Sequence, residues 1–183
     1  ISLTVATGKG GVLRLYRGQR LVANDTGPIV ILENGQRWVA HLTDPEPEVV
    51  IEAERIIGRG RMHAAQRKLA TPVKQVIFRI INATLGRAAP DLLRRLLQKA
   101  LITGKKPVPM TFERTISWNA AGSVDVIDRL AFDGAVPAKV ATVYLSSDAT
   151  SIYVATLLPW QTRDDAAAAL NAARRCEIKR AWA

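Results

Sequence analysis

Apolar and polar residues alternate with a spacing of two along most of this chain, the period of half-buried strands. Five such runs come first: ISLTVAT, VLRLYRG, PIVILE, QRWVAHLT and EVVIEAERII. Turn-forming clusters separate them at Gly10-Gly11, Asn24 to Pro28, Asn34-Gly35 and Asp44 to Pro47. After residue 106 the alternation returns in MTFERTISW, SVDVIDRLAF, AKVATVYLS and TSIYVATLL. Asn34-Gly35 between two β-rich runs predicts a type I′ hairpin, because both central positions of that turn need φ > 0. Many short strands joined in this way predict a mainly-β fold, an antiparallel β-sandwich.

Between the two groups of strands the apolar period lengthens to three or four. Thr71-Pro72 opens a helix with a hydroxyl cap and a proline whose missing N–H costs nothing at the first helical position. Val73, Val76, Ile77, Ile80, Ile81 and Leu85 follow on one face, and Gly86 is the expected stop. A second helix opens at Pro90-Asp91 and ends at Thr103-Gly104. Together they predict a helical hairpin inserted over 71–103. A short C-terminal helix is expected to be capped at Thr162, with Asp164 and Asp165 in its first turn and Arg174-Arg175 in its last.

The chain has 183 residues, 48% of them hydrophobic, enough for one domain over 1–183 with a sizeable core. No run of about 18 apolar residues is present, so no spanning helix is expected. An opening at Ile1, directly in a strand-like run, reads as a processed product or a domain cut from a larger protein. Cys176 is the single cysteine; Arg174, Arg175 and Lys179 nearby are cations of the kind that lower a thiol pKa, but an incidental thiol is the expected reading.

Charge changes the picture more than composition does. The formal net charge is +10, yet residues 55–106 hold thirteen of the 26 Lys and Arg against one acid, Asp91. That segment carries +12 and the remainder −2, so one sub-module is expected to face an anionic partner or to serve as a solvated basic face. Within it, Gly58-Arg59-Gly60-Arg61-Met62-His63 followed by Arg67 and Lys68 is the sharpest binding feature. Arginine forks grip sulfate, phosphate or carboxylate in bidentate fashion, and glycines let the backbone approach closely. Arg94, Arg95, Lys105 and Lys106 extend the candidate anion site. Nucleic acid is disfavoured, because the only aromatic residue of the segment is Phe78, on the apolar side of the first helix. An anionic membrane surface fits the apolar helix faces with basic margins, although packing of those faces is the expected use.

Enzyme chemistry is poorly represented. Thr7-Gly8-Lys9-Gly10-Gly11 lacks the spacing of a phosphate loop and leads into a strand, so it is read as a hairpin turn. Two histidines and one cysteine cannot assemble a tetrahedral zinc site. His41 is the one named catalytic candidate, with packing as its simpler role, and no Gly-x-Ser-x-Gly accompanies it. Asp125 and Asp128 fall on opposite faces of one strand, so they do not form a paired-carboxylate site. No cofactor is implied. Trp160, after Pro159 in an expected loop, is the candidate platform for a sugar ring, whereas Trp118 is expected in the core.

Phe112 to Trp118 followed by Gly122 to Leu130 resembles a strand pair of the C-terminal β-sandwich domains of heparinase II/III-like polysaccharide lyases. In that family a helical toroid precedes the sandwich. The resemblance implies polysaccharide handling outside the cytoplasm, in the periplasm or secreted, and a β part of a larger protein. It carries over no catalytic residue. The resulting expectation is a non-catalytic module that binds an anionic polysaccharide or supports a preceding helical domain of the same protein. The alternatives are a polysaccharide lyase or hydrolase completed by further sequence, and membrane attachment through the helical hairpin.

Overall fold

The computed structural model describes residues 1–40, 48–65, 76, 79–81, 106–146 and 162–182. Two compact units emerge, Ile1–Ala65 with Pro107–Ala183, and Gln66–Lys106. The predicted insertion over 71–103 falls in the second unit, and within it Val76, Arg79, Ile80 and Ile81 are helical. Most of that insertion and the expected TSIYVATLL strand lie outside the described residues.

The first unit is mainly β, with antiparallel pairing. A three-stranded sheet runs in the order β1 (Ser2–Ala6), β2 (Val12–Arg17), β3 (Arg20–Asp25). The larger sheet is built from β4 (Gly27–Leu32), β5 (Arg37–Val39), β6 (Glu48–Ile51), β7 (Arg55–Ala64), β8 (Lys106–Trp118), β9 (Val124–Phe132), β10 (Val140–Ser146), β11 (Thr162–Asp164) and β12 (Arg175–Trp182). Its spatial order is β11-β10-β4-β5-β7-β8-β9-β12, with β6 paired to β7 beside β5. One helix, α1 (Ala166–Ala173), connects β11 to β12.

Alternation in sequence becomes burial in space. Leu13 and Leu15 of β2 and Ala23 of β3 pack against Ile116 of β8 and Val124 and Val126 of β9, joining the small sheet to the large one. The main core collects Val30, Leu32, Trp38, Met62, Met110, Phe112 and Leu130 with Val143 of β10, Leu170 of α1 and Ile178 of β12. Strands from both ends of the sheet order share this core, so the sheet curls. Asn171 of α1 ties the helix to β10, its side chain donating to Val140 O at 2.8 Å and accepting from Val140 N at 2.9 Å.

Several expected boundaries move. β3, most of β7 and β12 were not among the expected strands, and Gly58 to Ala64 is ladder rather than loop. Of the two central turn residues, only Gly35 has positive φ, +79°, and its N–H donates to Leu32 O at 2.9 Å. The connection is therefore a turn ending in a left-handed glycine rather than type I′, with Asn34 Oδ1 accepting from Gln36 N at 3.0 Å. The C-terminal helix starts after Asp165 rather than at Thr162, because Thr162–Asp164 pairs with β10 as a strand. Asp164 Oδ1 accepts from Ala166 N at 2.8 Å, and Arg174 ends the helix in the left-handed region at φ 58° instead of standing in its last turn.

The least expected element of the interior is ionic. Arg114 lies mid-β8 at an inward-facing position and is 1% exposed. Its Nε and Nη2 fork onto Asp128 at 2.7 and 2.9 Å, and Nη2 reaches Asp25 Oδ1 at 3.2 Å. Nη1 donates to Gly11 O at 2.9 Å. Arg180 of β12 completes the group through Asp128 and through Asp25 at 3.2 Å. The Gly10-Gly11 turn is thus the hairpin that the sequence predicts, with an additional duty. At φ +74° a Cβ on Gly11 would sit 2.9 Å from Arg114 Cδ, so only glycine lets the turn close over the guanidinium. Asp25 forms the corner where the chain leaves the small sheet for the large one, accepting from Gly27 N at 2.8 Å.

Removing Arg114 leaves two carboxylates buried without their fork. Arg114→Met is expected to cost about 3–5 kcal/mol in denaturant unfolding, whereas Asp125→Asn, on the exposed face of β9, is expected to stay within about 0.5 kcal/mol. Equal midpoints for the two variants would refute the assignment.

Candidate anion-binding face

The predicted site residues divide three ways. His41, Arg67, Lys68, Arg94, Arg95, Lys105 and Trp160 lie outside the described residues. Arg59, Arg61 and Lys106 are exposed, the first two on β7 and the third at the start of β8. His63 is 5% exposed and so is not available at the open face that Arg59 and Arg61 occupy.

On that face the larger sheet aligns charged side chains across five strands. Glu48 stands opposite Arg59, Glu113 opposite Arg129, and Arg129 opposite Glu177. Arg59 spans Glu48 at 3.0 Å and Glu113 at 2.6 Å. Arg129 spans Glu113 at 2.8 Å and Glu177 at 2.7 Å, and Lys179 adds a contact to Glu177 at 3.0 Å. The result is a row of alternating sign: acid, base, acid, base, acid. Cross-strand pairs of opposite charge are a general means of stabilising a sheet face. Arg61 stands beside the row and pairs with Asp133 at 2.9 Å, while Arg55 pairs with Glu52 at 2.6 Å.

These pairs hold the carboxylates ionised. Glu113 is lowered below the usual carboxylate range, first by its bond from Arg59 and then by that from Arg129. Glu177 is lowered by Lys179 and then Arg129. Arg59 and Arg129 are raised in return, each chiefly through Glu113. A groove of about 1100 Å³ lies along this row, lined among others by Arg59, Arg61, Phe112, Leu130, Arg175 and Cys176. Arg175 is exposed at its edge.

The basic character of residues 55–106 therefore has two sources. Its three β7 arginines are neutralised by Glu48, Glu52, Glu113 and Asp133, all of which lie outside that segment. Divided by structure rather than by sequence window, Gln66–Lys106 holds ten bases and one acid for +9, and the β unit carries +1 of the total +10. Sequence reasoning missed the neutralising carboxylates because register, not proximity in the chain, selects them.

Cys176 is half-buried on β12. Burial pushes its thiol up to about 11, with Asp164 adding to the rise, so the neighbouring cations do not activate it. Among the described residues no group of three or more His, Cys, Asp or Glu is placed to hold a metal ion, and no helix is long and apolar enough to cross a membrane. The strand pair that carries the family resemblance is β8 with β9, paired from Met110↔Phe132 to Trp118↔Val124. No family model, curated protein or solved structure matches the chain.

Glu113 is the shared acid of the row, and its depressed pKa fixes a sign. Its contribution to stability is complete above the unfolded carboxylate value of about 4.3 and disappears as pH falls through the lower folded value. Glu113→Gln is expected to cost about 1 kcal/mol or less at neutral pH and to flatten the acid limb of a stability–pH curve measured by urea unfolding. An unchanged acid limb would remove Glu113 from that role.

Proposed function

We propose that this chain is a non-catalytic β module, its small and large sheets forming a sandwich, that carries a basic helical insertion and uses that insertion to bind an anionic polysaccharide. One observation carries the reading: the near-neutral β unit against +9 in Gln66–Lys106. In the β unit Arg55, Arg59, Arg61 and Arg129 pair with carboxylates of the same unit, and its bases and acids nearly balance, whereas ten bases facing a single acid in the insertion have too few carboxylates of their own segment to pair with. Such a surplus attracts a polyanion over distances of roughly a Debye length, about 8–10 Å. The resemblance of β8–β9 to polysaccharide-lyase β-domains supports a glycan as the polyanion, and support of a neighbouring polysaccharide-processing domain is compatible with the same binding.

A second reading has its own observation. Val76, Ile80 and Ile81 are 56%, 58% and 37% exposed on a helix within this basic unit. Apolar residues beside cations form the pattern of helices that lie in an anionic membrane surface.

Titration with a polyuronate and with heparin at several salt concentrations tests the first reading. Binding at low salt that weakens steeply as salt rises is expected. Arg94→Ala with Arg95→Ala should weaken it at least about tenfold, and Arg59→Ala with Arg61→Ala should leave it within about twofold, because those two are already paired. No binding at low salt, or loss confined to the Arg59 and Arg61 pair, overturns the reading. Co-sedimentation with anionic vesicles but with neither polymer would favour the membrane.

A further inference from the structure

The two most exposed large apolar side chains among the described residues, Ile51 at 70% and Ile1 at 65%, line the same cleft. It measures about 820 Å³ and opens between the two sheets. Leu3 and Val5 of β1 form one wall, and Ile51 of β6, Ile56 of β7 and Trp118 of β8 form the other. The larger sheet therefore reaches past the edge of the small one. Leu3 and Val5 are half-buried against the small-sheet core, and Ile1 lies so close to the β8–β9 turn that a Cβ on Gly122 would collide with it. A strand laid beside β1 would cover this apolar wall.

Among the described residues β1 pairs with β2 alone, so the N–H and C=O groups on its other side have no ladder partner. Proteins normally guard such an edge with charge, proline or a bulge. The other outermost strands follow that rule: β3 holds Arg20 and Asp25, β11 holds Arg163 and Asp164, and β12 holds Arg175, Glu177, Lys179 and Arg180. β1 reads Ser-Leu-Thr-Val-Ala, with no charge, no proline and an unbroken register with β2. An unguarded edge beside an open apolar cleft is the arrangement that accepts an added strand, main-chain bonds giving affinity and alternate side chains giving specificity.

We propose that the occupant is a second copy of this chain, whose β1 pairs antiparallel with this β1 about a two-fold axis at Thr4. Self-complementarity selects it. In that register Leu3 of each copy falls opposite Val5 of the other, Ser2 opposite Ala6, and Thr4 opposite Thr4. The apolar pairs lie on the face that lines the cleft, so the second copy's Leu3 and Val5 continue the apolar wall over Ile51 and Ile56. The threonine pair lies on the exposed face, where such cross-strand hydroxyl pairs are favourable. Charge is compatible as well: β1 brings none to the interface, and the cation nearest the axis along the register, Arg14, stands one strand further out, opposite Thr4 on β2. A five-residue strand pair with one cleft wall from each copy falls at the small end of specific interfaces, below about 1,200 Å² in all, so the dimer is micromolar rather than permanent.

Analytical ultracentrifugation of the full chain between about 1 and 200 µM tests it, with a shift from monomer to dimer expected across that range. Thr4→Glu sets like charges opposite each other at the axis while facing Arg14 within its own copy. It should weaken association at least about fivefold at an unaltered unfolding midpoint in the dilute monomer. Thr4→Lys should weaken it likewise, and an equimolar mixture of the two variants should associate again as a heterodimer. Hydrogen exchange over residues 1–7 gives a second readout: the amides on the open side of β1 should exchange fast in dilute solution and become protected as concentration rises. A monomer throughout the range, a dimer indifferent to Thr4→Glu, or a mixture that stays monomeric would each overturn the proposal. So would protection of those amides already in the dilute monomer, which would mean that another segment of the same chain fills the place. Polyanion binding by the insertion stands or falls separately, in its own titration.

Discussion

Arg114 is the residue on which the arrangement of the two sheets depends. From the middle of β8 it reaches the corner at Asp25, the paired strand at Asp128 and the turn at Gly11. Four separate pieces of chain must therefore arrive together. Buried ion pairs contribute little net stability, since desolvation consumes most of their attraction, whereas each fully buried aliphatic side chain contributes about 1.5–3 kcal/mol. The aliphatic clusters on either side hold the fold. The quartet decides which fold is held: a slip of one residue in β8 would aim Arg114 outward and set Glu113 or Thr115 at the carboxylates, and a slip in β9 would aim Asp128 outward and set Ile127 or Arg129 beside the guanidinium groups. Gly11 shows how tightly the decision is enforced, because a single methyl group there collides with the Arg114 side chain.

Charge is handled in opposite ways by the two faces of the larger sheet. Inside, four ionic groups balance at the centre of an apolar region. Outside, Glu48, Arg59, Glu113, Arg129 and Glu177 alternate across the strands, so each base sits between two acids. Both arrangements remove net charge from the β unit. What remains is concentrated in Gln66–Lys106, where ten bases meet one acid. A basic isoelectric point spread evenly over a surface would mean little about partners; the same charge confined to one insertion gives that insertion a strong local potential.

Much was legible in the sequence. The period-two runs placed β1, β2, β4, β8, β9 and β10, and the glycine pair at 10 and 11 was readable as a hairpin because a strand pattern follows it. The pairing of Leu13 and Leu15 inward with Arg14 outward follows from alternation alone. The quartet left a signal too: Val108, Met110, Phe112, Arg114 and Ile116 occupy successive inward positions, as do Val124, Val126, Asp128 and Leu130, and each series contains one charged letter. A charge in the buried register of one strand is a conflict, and an opposite charge in the buried register of the next strand resolves it. β3, β7 and β12 were harder, since glycine, arginine and short apolar runs obscure their alternation.

Sequence by itself determined a mainly-β chain interrupted by a basic segment of helical spacing, because alternation and charge are local properties of the chain. Tertiary structure alone decided which charges remain unbalanced. Arg59 lies among bases in the chain and between acids in the sheet, for a physical reason: strand register brings Glu48 and Glu113 within 3.0 and 2.6 Å of it across gaps of 11 and 54 residues. The contact of Asp25 with Arg180 likewise exists only when residues from opposite ends of the chain meet, and no window of sequence contains both.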